Sequence, residues 1–231
     1  MSKEFKDIQK IIGVEFKNQL LLKEALTHRS FLNENENWPV FHNERMEFLG
    51  DAVLELVVTK FLFEKFPDDD EGKLTSVRSA LVDHNMLSNV AETIKLDDFI
   101  YLSKGEAKAD KRSREAIISN AVEAIIGAIY LGQGYEEAKG FIKQFILSQL
   151  DKIMEAELYR DSKSLLQELV QEKMNKTPHY EVIKETGPDH RKKFTVGVYF
   201  GEELIIEGDG DSKQDAERAS AENALDKLDL Q

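Results

Sequence analysis

Residues 43–54 read Asn43-Glu44-Arg45-Met46-Glu47-Phe48-Leu49-Gly50-Asp51-Ala52-Val53-Leu54. Glu44, Glu47 and Asp51 fall at i, i+3 and i+7 of an otherwise apolar helical stretch. That spacing stacks them on roughly one face. Carboxylates this close repel one another unless positive charge sits among them, and apolar neighbours on both sides argue against simple solvation. A hard divalent cation bound by oxygen ligands resolves the conflict. Glu123 is a further acid in an apolar helix, with Asn120 at i−3 on the same face, and Glu71 stands at a helix start behind Asp68-Asp69-Asp70. Two helices offering oxygen ligands from an apolar wall could build a Mg²⁺ or Mn²⁺ site. For phosphodiester hydrolysis such a site orients and activates water and stabilises the leaving oxygen. Taken singly, each acid reads as ordinary surface charge. Asp68, Asp69 and Asp70 fit that reading best, and the helix dipole alone would favour Glu71. Nothing in the sequence places His28, His42 or His84 at the acids, so they read as structural or surface residues.

The elements that must hold these residues change character near residue 155. Before it, apolar residues recur at helical spacing in Phe16–Leu26, Met46–Phe63, Leu74–Ile94, Ile117–Leu131 and Tyr135–Met154. Breakers separate them at 33–39, 67–72 and 103–113. The charged stretch Ser103–Arg114 has little to bury and is expected to be mobile or ordered by a partner. After it, Ser162–Met174 reads as a helix, His179–Lys184, Lys193–Phe200 and Glu203–Glu207 as strands, and Ser212–Leu228 as a helix. Phe194, Val196, Val198 and Phe200 share one face of the second strand, Gly201 marks a turn, and Ala216, Ala219, Ala221 and Ala224 offer a small-residue packing face. The expected fold class is an all-α N-terminal domain, residues 1–155, a linker at 156–161, and a small α+β (α-β-β-β-α) domain at 162–231.

Composition narrows the function classes. The chain has no cysteine, which excludes disulfides, zinc–thiolate sites and thiol nucleophiles. No signal peptide is evident at the start, and runs such as Ala124–Leu131 are too short to span a bilayer, so a cytoplasmic protein without a membrane partner is expected. A net charge of −13 argues on its face against nucleic acid. Carboxylates that hold metal nevertheless count as negative in that sum.

The stretch Asn43–Leu54 resembles the signature of the ribonuclease III family, N-E-R-L-E-F-L-G-D-A-V-L, departing only at Met46. Leu26-Thr27-His28-Arg29-Ser30-Phe31, Glu71-Gly72-Lys73-Leu74-Thr75 and Glu123-Ala124-Ile125-Ile126-Gly127-Ala128-Ile129-Tyr130 agree with it in order. The tail resembles the double-stranded-RNA-binding domain that follows in bacterial members. The resemblance implies a Mg²⁺-dependent homodimeric endonuclease, with Mn²⁺ as a substitute. It would cut both strands of double-stranded RNA to 5′-phosphate and 3′-hydroxyl ends. By the same resemblance Glu47, Asp51 and Glu123 hold the metal, Glu44 and Glu71 border the cleft, and Phe48 plugs into the partner subunit. The family's D-A-x-E pattern has Asp where this chain has Asn120, which keeps a carbonyl oxygen but loses a charge and cannot act as a base.

In the tail, Ser164, Gln167, Glu168 and Gln171 form one donor–acceptor helix face suited to the shallow minor groove of A-form RNA. The loop Gly187-Pro188-Asp189-His190 resembles the family's second minor-groove contact, with His190 as reader. Lys213, at the start of the last helix, points to a phosphate-rich groove. Gln214 replaces a usual second Lys, and Asp209, Asp211 and Asp215 crowd the site, so weaker and more salt-sensitive binding is expected. The first reading is a double-strand-specific endoribonuclease. The alternative is a double-stranded-RNA-binding protein with cleavage impaired by Asn120. A third is an all-α phosphohydrolase of small nucleotides, against which the tail argues.

Overall fold

A computed structural model describes residues 5–108, 111–155, 157, 159, 161–188 and 192–229. The chain divides into two compact units, Met1–Tyr159 and Arg160–Gln231.

The first unit is helical: α1 (Phe5–Ile12), α2 (Gln19–Ala25), α3 (Arg29–Leu32), α4 (Glu44–Lys65), α5 (Glu71–Val82), α6 (His84–Thr93), α7 (Lys111–Gln133), α8 (Tyr135–Phe145) and α9 (Leu150–Glu155), with short 3₁₀ turns at Leu96–Asp98, Glu106–Lys108 and Leu147–Gln149. Its centre is the pair α4 and α7. Met46, Val53, Leu54, Val57, Val58 and Leu62 bury one side of α4. In α7 Ala121, Val122, Ala124, Ile125, Ile126, Ala128 and Ile129 are all buried, because α2, α4, α6 and α8 surround the helix. Ser113–Gln133 is by length and composition apolar enough to cross a membrane, contrary to the expectation from its shorter runs. Its apolar surface is instead spent on that packing.

Two glycines set how closely the pair meets. A Cβ on Gly50 would stand 1.8 Å from the Glu123 carbonyl oxygen, and one on Gly127 would stand 2.3 Å from the Met46 carbonyl oxygen. The helices therefore touch backbone to backbone, which no side chain at either position allows.

Several boundaries differ from the sequence reading. The stretch Leu74–Ile94 is two helices. Asp83 is extended (φ −68, ψ 160), and its side chain accepts a hydrogen bond from Met86 N at 2.7 Å, ending α5 and capping α6. Asp70 caps α5 in the same way through Lys73 N, at 2.8 Å. Tyr135–Met154 likewise breaks into α8, a 3₁₀ turn and α9. The stretch expected to be mobile is largely structured among its described residues. Glu106–Lys108 is a 3₁₀ turn, α7 begins at Lys111, and Arg114 pairs with Asp97 at 2.6 Å.

The second unit runs α10 (Ser162–Met174), β1 (Pro178–Thr186), β2 (Lys193–Phe200), β3 (Glu203–Gly210) and α11 (Lys213–Asp229). Its sheet is antiparallel in the order β1-β2-β3, with irregularities at Val182/Lys184 and Val198/Tyr199. Val196, Val198 and Phe200 turn inward as their alternation requires, and Leu166 and Val170 of α10 with Ala221 and Ala224 of α11 complete the core. The packing face of α11 uses Ser220 rather than Ala219, because α11 lies with the Ser220 backbone against Gly208, where a Cβ would meet Ser220 N at 2.1 Å. The Ser220 hydroxyl donates to Glu217 O at 2.8 Å, so its burial leaves no polar group unpaired.

Gly50→Ala is expected to destabilise the protein by about 3 kcal/mol or more, because backbone rather than a flexible side chain must move. Gly140→Ala in α8, where a Cβ meets nothing within 4 Å, should stabilise it by about 0.5–1 kcal/mol. Urea unfolding of the two variants checks both signs; similar effects would contradict the close crossing.

Candidate active site

The crossing brings Glu47 and Asp51 of α4 toward Asn120 and Glu123 of α7. Asn120 Nδ2 donates to Glu47 Oε1 at 2.9 Å. Burial pushes the Glu123 carboxyl up to about 8, with Asp51 and then Glu47 adding repulsion. Glu47 is also raised, first by burial and then by Glu44, and the Asn120 hydrogen bond works against the rise. The carboxyl groups of Glu47, Asp51 and Glu123, from two helices, thus act on one another electrostatically in a partly buried setting.

Among the described residues no three of His, Cys, Asp and Glu form a ready-made metal cage. The Asn120 amide takes up one Glu47 oxygen. The donor set still fits a hard divalent cation. It is all oxygen, its charge is unbalanced, and the raised Glu123 carboxyl is a group that such a cation would return to the anionic form. Turning the Asn120 amide would present Oδ1 in place of Nδ2.

The remaining predicted residues are dispersed. Glu44 is exposed at the rim, 3.0 Å from Arg29 and 3.6 Å from His42. Glu71 is exposed in the first turn of α5, lining a cleft with Thr59, Phe63 and Arg78. Asp51 and Thr59 are eight residues apart on α4, about 12 Å along its axis. One chain therefore sets Glu71 away from Asp51, so within one chain it does not border the carboxylates as the resemblance implies. Phe48 is no core residue: it is 80 % exposed, and with Leu56 and Phe63, at 57 % and 72 %, it lies within an arc of about 80° on α4.

In the second unit Ser164, Gln167, Glu168 and Gln171 all face solvent, opposite buried Leu166 and Val170. The Ser164 hydroxyl donates to Asp161, which caps α10, at 3.1 Å, and Gln171 donates to Asn175 at 2.9 Å. His190 lies outside the described residues. Lys213 is exposed at the start of α11, where Glu185 of β1 pairs with it at 3.5 Å and with Lys192 at 3.6 Å. The sequence reading missed Glu185 because the sheet alone brings it there. It also missed His84, whose Nδ1 lies 3.0 Å from Ser119 Oγ, beside Asn120.

The helical unit thus brings acidic side chains of α4 and α7 toward one another, and the chain continues into an α-β-β-β-α unit with a polar helix face and a lysine-bearing helix start. Comparison with known proteins agrees. Residues 18–150 match the family model described as Ribonuclease-III-like, and residues 162–228 match the double-stranded RNA binding motif. The chain is 45% identical to Ribonuclease 3 of Bdellovibrio bacteriovorus, covering 96% of this chain and 94% of that protein. It is 42% identical to Ribonuclease 3 of Pelotomaculum thermopropionicum, covering 95% and 91%. A Campylobacter jejuni ribonuclease III nuclease domain, described as flexible in a region involved in dimer formation, superposes with a TM-score of 0.57 at 41% identity, over 63% of this chain and 97% of that one. The chain belongs to the ribonuclease III family of double-strand-specific endoribonucleases.

The Glu123 carboxyl rises from an ordinary 4.5 to about 8 on folding. Between those values the folded state binds the extra proton, so this group's contribution to stability is complete below 4.5 and is lost as pH climbs through 8. Without divalent cation, Glu123→Gln should therefore be more stable than the parent, by a margin that opens across that window. Added Mg²⁺ should narrow the margin by stabilising the parent alone. Thermal melts at pH 5 and pH 8.5, with and without Mg²⁺, measure it, and a margin independent of pH would refute the assignment.

Proposed function

We propose that this chain hydrolyses both strands of double-stranded RNA as a Mg²⁺-dependent homodimer in the cytoplasm, leaving 5′-phosphate and 3′-hydroxyl ends. Mn²⁺ serves as a substitute. The observation that carries this reading is the convergence of Glu47, Asp51 and Glu123 across the glycine crossing, on a chain whose tail matches a double-stranded RNA binding motif.

Glu47, Asp51, Glu123 and the Asn120 carbonyl oxygen would hold the cation. When bound, the cation supplies an activated water and charge stabilisation for the leaving 3′ oxygen. The protein's own groups do the rest. The α4–α7 crossing fixes the spacing of the carboxylates. The Arg29–Glu44 pair borders the opening, where an RNA strand must pass. Ser164, Gln167, Glu168 and Gln171 offer mixed donors and acceptors to 2′-hydroxyls in a minor groove. Lys213 and the α11 N-terminus meet phosphates, with His190 as the loop reader. Glu185 competes with phosphate for Lys213, which gives the salt-sensitive binding expected from the acidic tail.

The apolar stripe Phe48, Leu56 and Phe63 supports the homodimer. Such a stripe is costly in water, and a two-fold axis lets one stripe cover its copy. The flexible dimer-forming region described for the Campylobacter jejuni domain supports the same reading. A second reading, duplex binding with impaired cleavage, is favoured by the Asn120 amide acting as donor to Glu47.

Incubation with duplex RNA and Mg²⁺ separates them. Glu123→Ala should lower cleavage by about 10- to 100-fold or more, since even outer partners of a bound metal are worth about that range, and should leave metal-free duplex binding intact. Cleavage absent from the parent and restored by Asn120→Asp would establish the second reading. Phe48→Glu should shift the sedimenting species from dimer to monomer, whereas an unchanged mass would remove Phe48 from the interface.

A further inference from the structure

Asp83 ends α5, so His84 opens α6 against α7. Its Nδ1 lies 3.0 Å from the hydroxyl of Ser119, a residue with no exposed surface. That hydroxyl has one proton, and it donates it to Ala116 O at 2.9 Å. With that proton on Ala116 O the hydroxyl accepts from Nδ1–H, and in the neutral form of the ring the lone pair then lies on Nε2. The ring is exposed, free to meet a substrate. Ser119 precedes Asn120 and stands four residues from Glu123, on the same face of α7. A charge on His84 would also be felt by Glu47, which places the imidazole within electrostatic reach of the cluster. Within that cluster the Asn120 amide is spent as a donor to Glu47. A ring tied to the residue before Asn120, and felt by Glu47, is more than a surface histidine.

We propose that His84 is a further residue of the cleavage reaction: its Nε2 accepts a hydrogen bond from the attacking water and aims that water at the scissile phosphorus. The water oxygen bonds to phosphorus as the P–O3′ bond breaks. The proton shed by water passes to solvent, and the 3′ oxygen takes one up. Ser119 positions His84 and touches no reacting atom. The inference rests on the carboxylate cluster being the cleavage site, which Glu123→Ala tests by itself.

Amide side chains distinguish the two ring nitrogens. The Asn amide overlays Nδ1 and keeps the Ser119 bond, and the longer Gln amide reaches the Nε2 position. The variants His84→Ala, His84→Asn and His84→Gln are compared in single-turnover cleavage of duplex RNA at saturating Mg²⁺, in duplex affinity without divalent cation, and in thermal melting. Misaimed water costs up to about 10²-fold in rate. His84→Ala and His84→Asn should lose about 10- to 100-fold in cleavage with duplex affinity unchanged. His84→Asn should melt like the parent, and His84→Gln should recover much of the rate. Rescue by Asn and not by Gln would make His84 a structural tie between α6 and α7 and overturn the proposal. Full activity of all three variants beside an inactive Glu123→Ala would overturn it while sparing the cluster. Full activity of Glu123→Ala would remove the cluster and this proposal together.

Discussion

The carboxylate cluster depends on two helices touching where neither has a side chain. At Gly50 and Gly127 the backbones of α4 and α7 meet at distances that admit no Cβ. Glu47 and Asp51 flank Gly50 at i−3 and i+1, and Glu123 is four residues before Gly127. The same contact that packs the core therefore forces carboxylates from both helices into one space. A wider crossing would let each acid reach its own water, and the pressure for a cation would vanish.

That pressure is stored in charge. Burial and repulsion hold the Glu123 carboxyl well above its ordinary range, so folding leaves the site short of positive charge. The rest of the unit offsets the strain: buried faces on α4 and α7, and aspartate caps on α5 and α6. The second unit shows a milder form of the same opposition. Its lysine-bearing end is paired with Glu185, an ion pair that phosphates would have to displace under the proposed mode of binding. Binding and cleavage would then both wait on an electrolyte exchange, one at phosphate and one at the carboxylates.

Much of this was legible in the residue pattern because it is local. Helical spacing of Glu44, Glu47 and Asp51, the α-β-β-β-α order, and the inward alternation of Val196, Val198 and Phe200 each depend on a few neighbours in sequence. What was not legible depends on contacts between elements. Asp83 could have continued a helix; its side chain instead captured Met86 N and split the segment. Ser220 took the place expected for Ala219 because Gly208 lets the α11 backbone settle against β3. Glu71 sits beside the acids in the family's motif order, yet α5 packs against the far half of α4. Glu185 reaches Lys213 through sheet register, and His84 reaches Ser119 across 35 positions of chain. Histidines cannot be ranked by sequence alone: both His28 and His84 have a hydroxyl partner at Nδ1, and only the fold sets the one at His84 beside Asn120.

The central claim is that folding holds Glu123 protonated until a divalent cation takes its place among the carboxylates. Carbon-13 NMR titration of the Glu123 side-chain carboxyl, with and without Mg²⁺, tests it directly. The account predicts a midpoint near 8 without Mg²⁺, falling to or below the ordinary 4.5 once it is added. A midpoint near 4.5 in both conditions would contradict it.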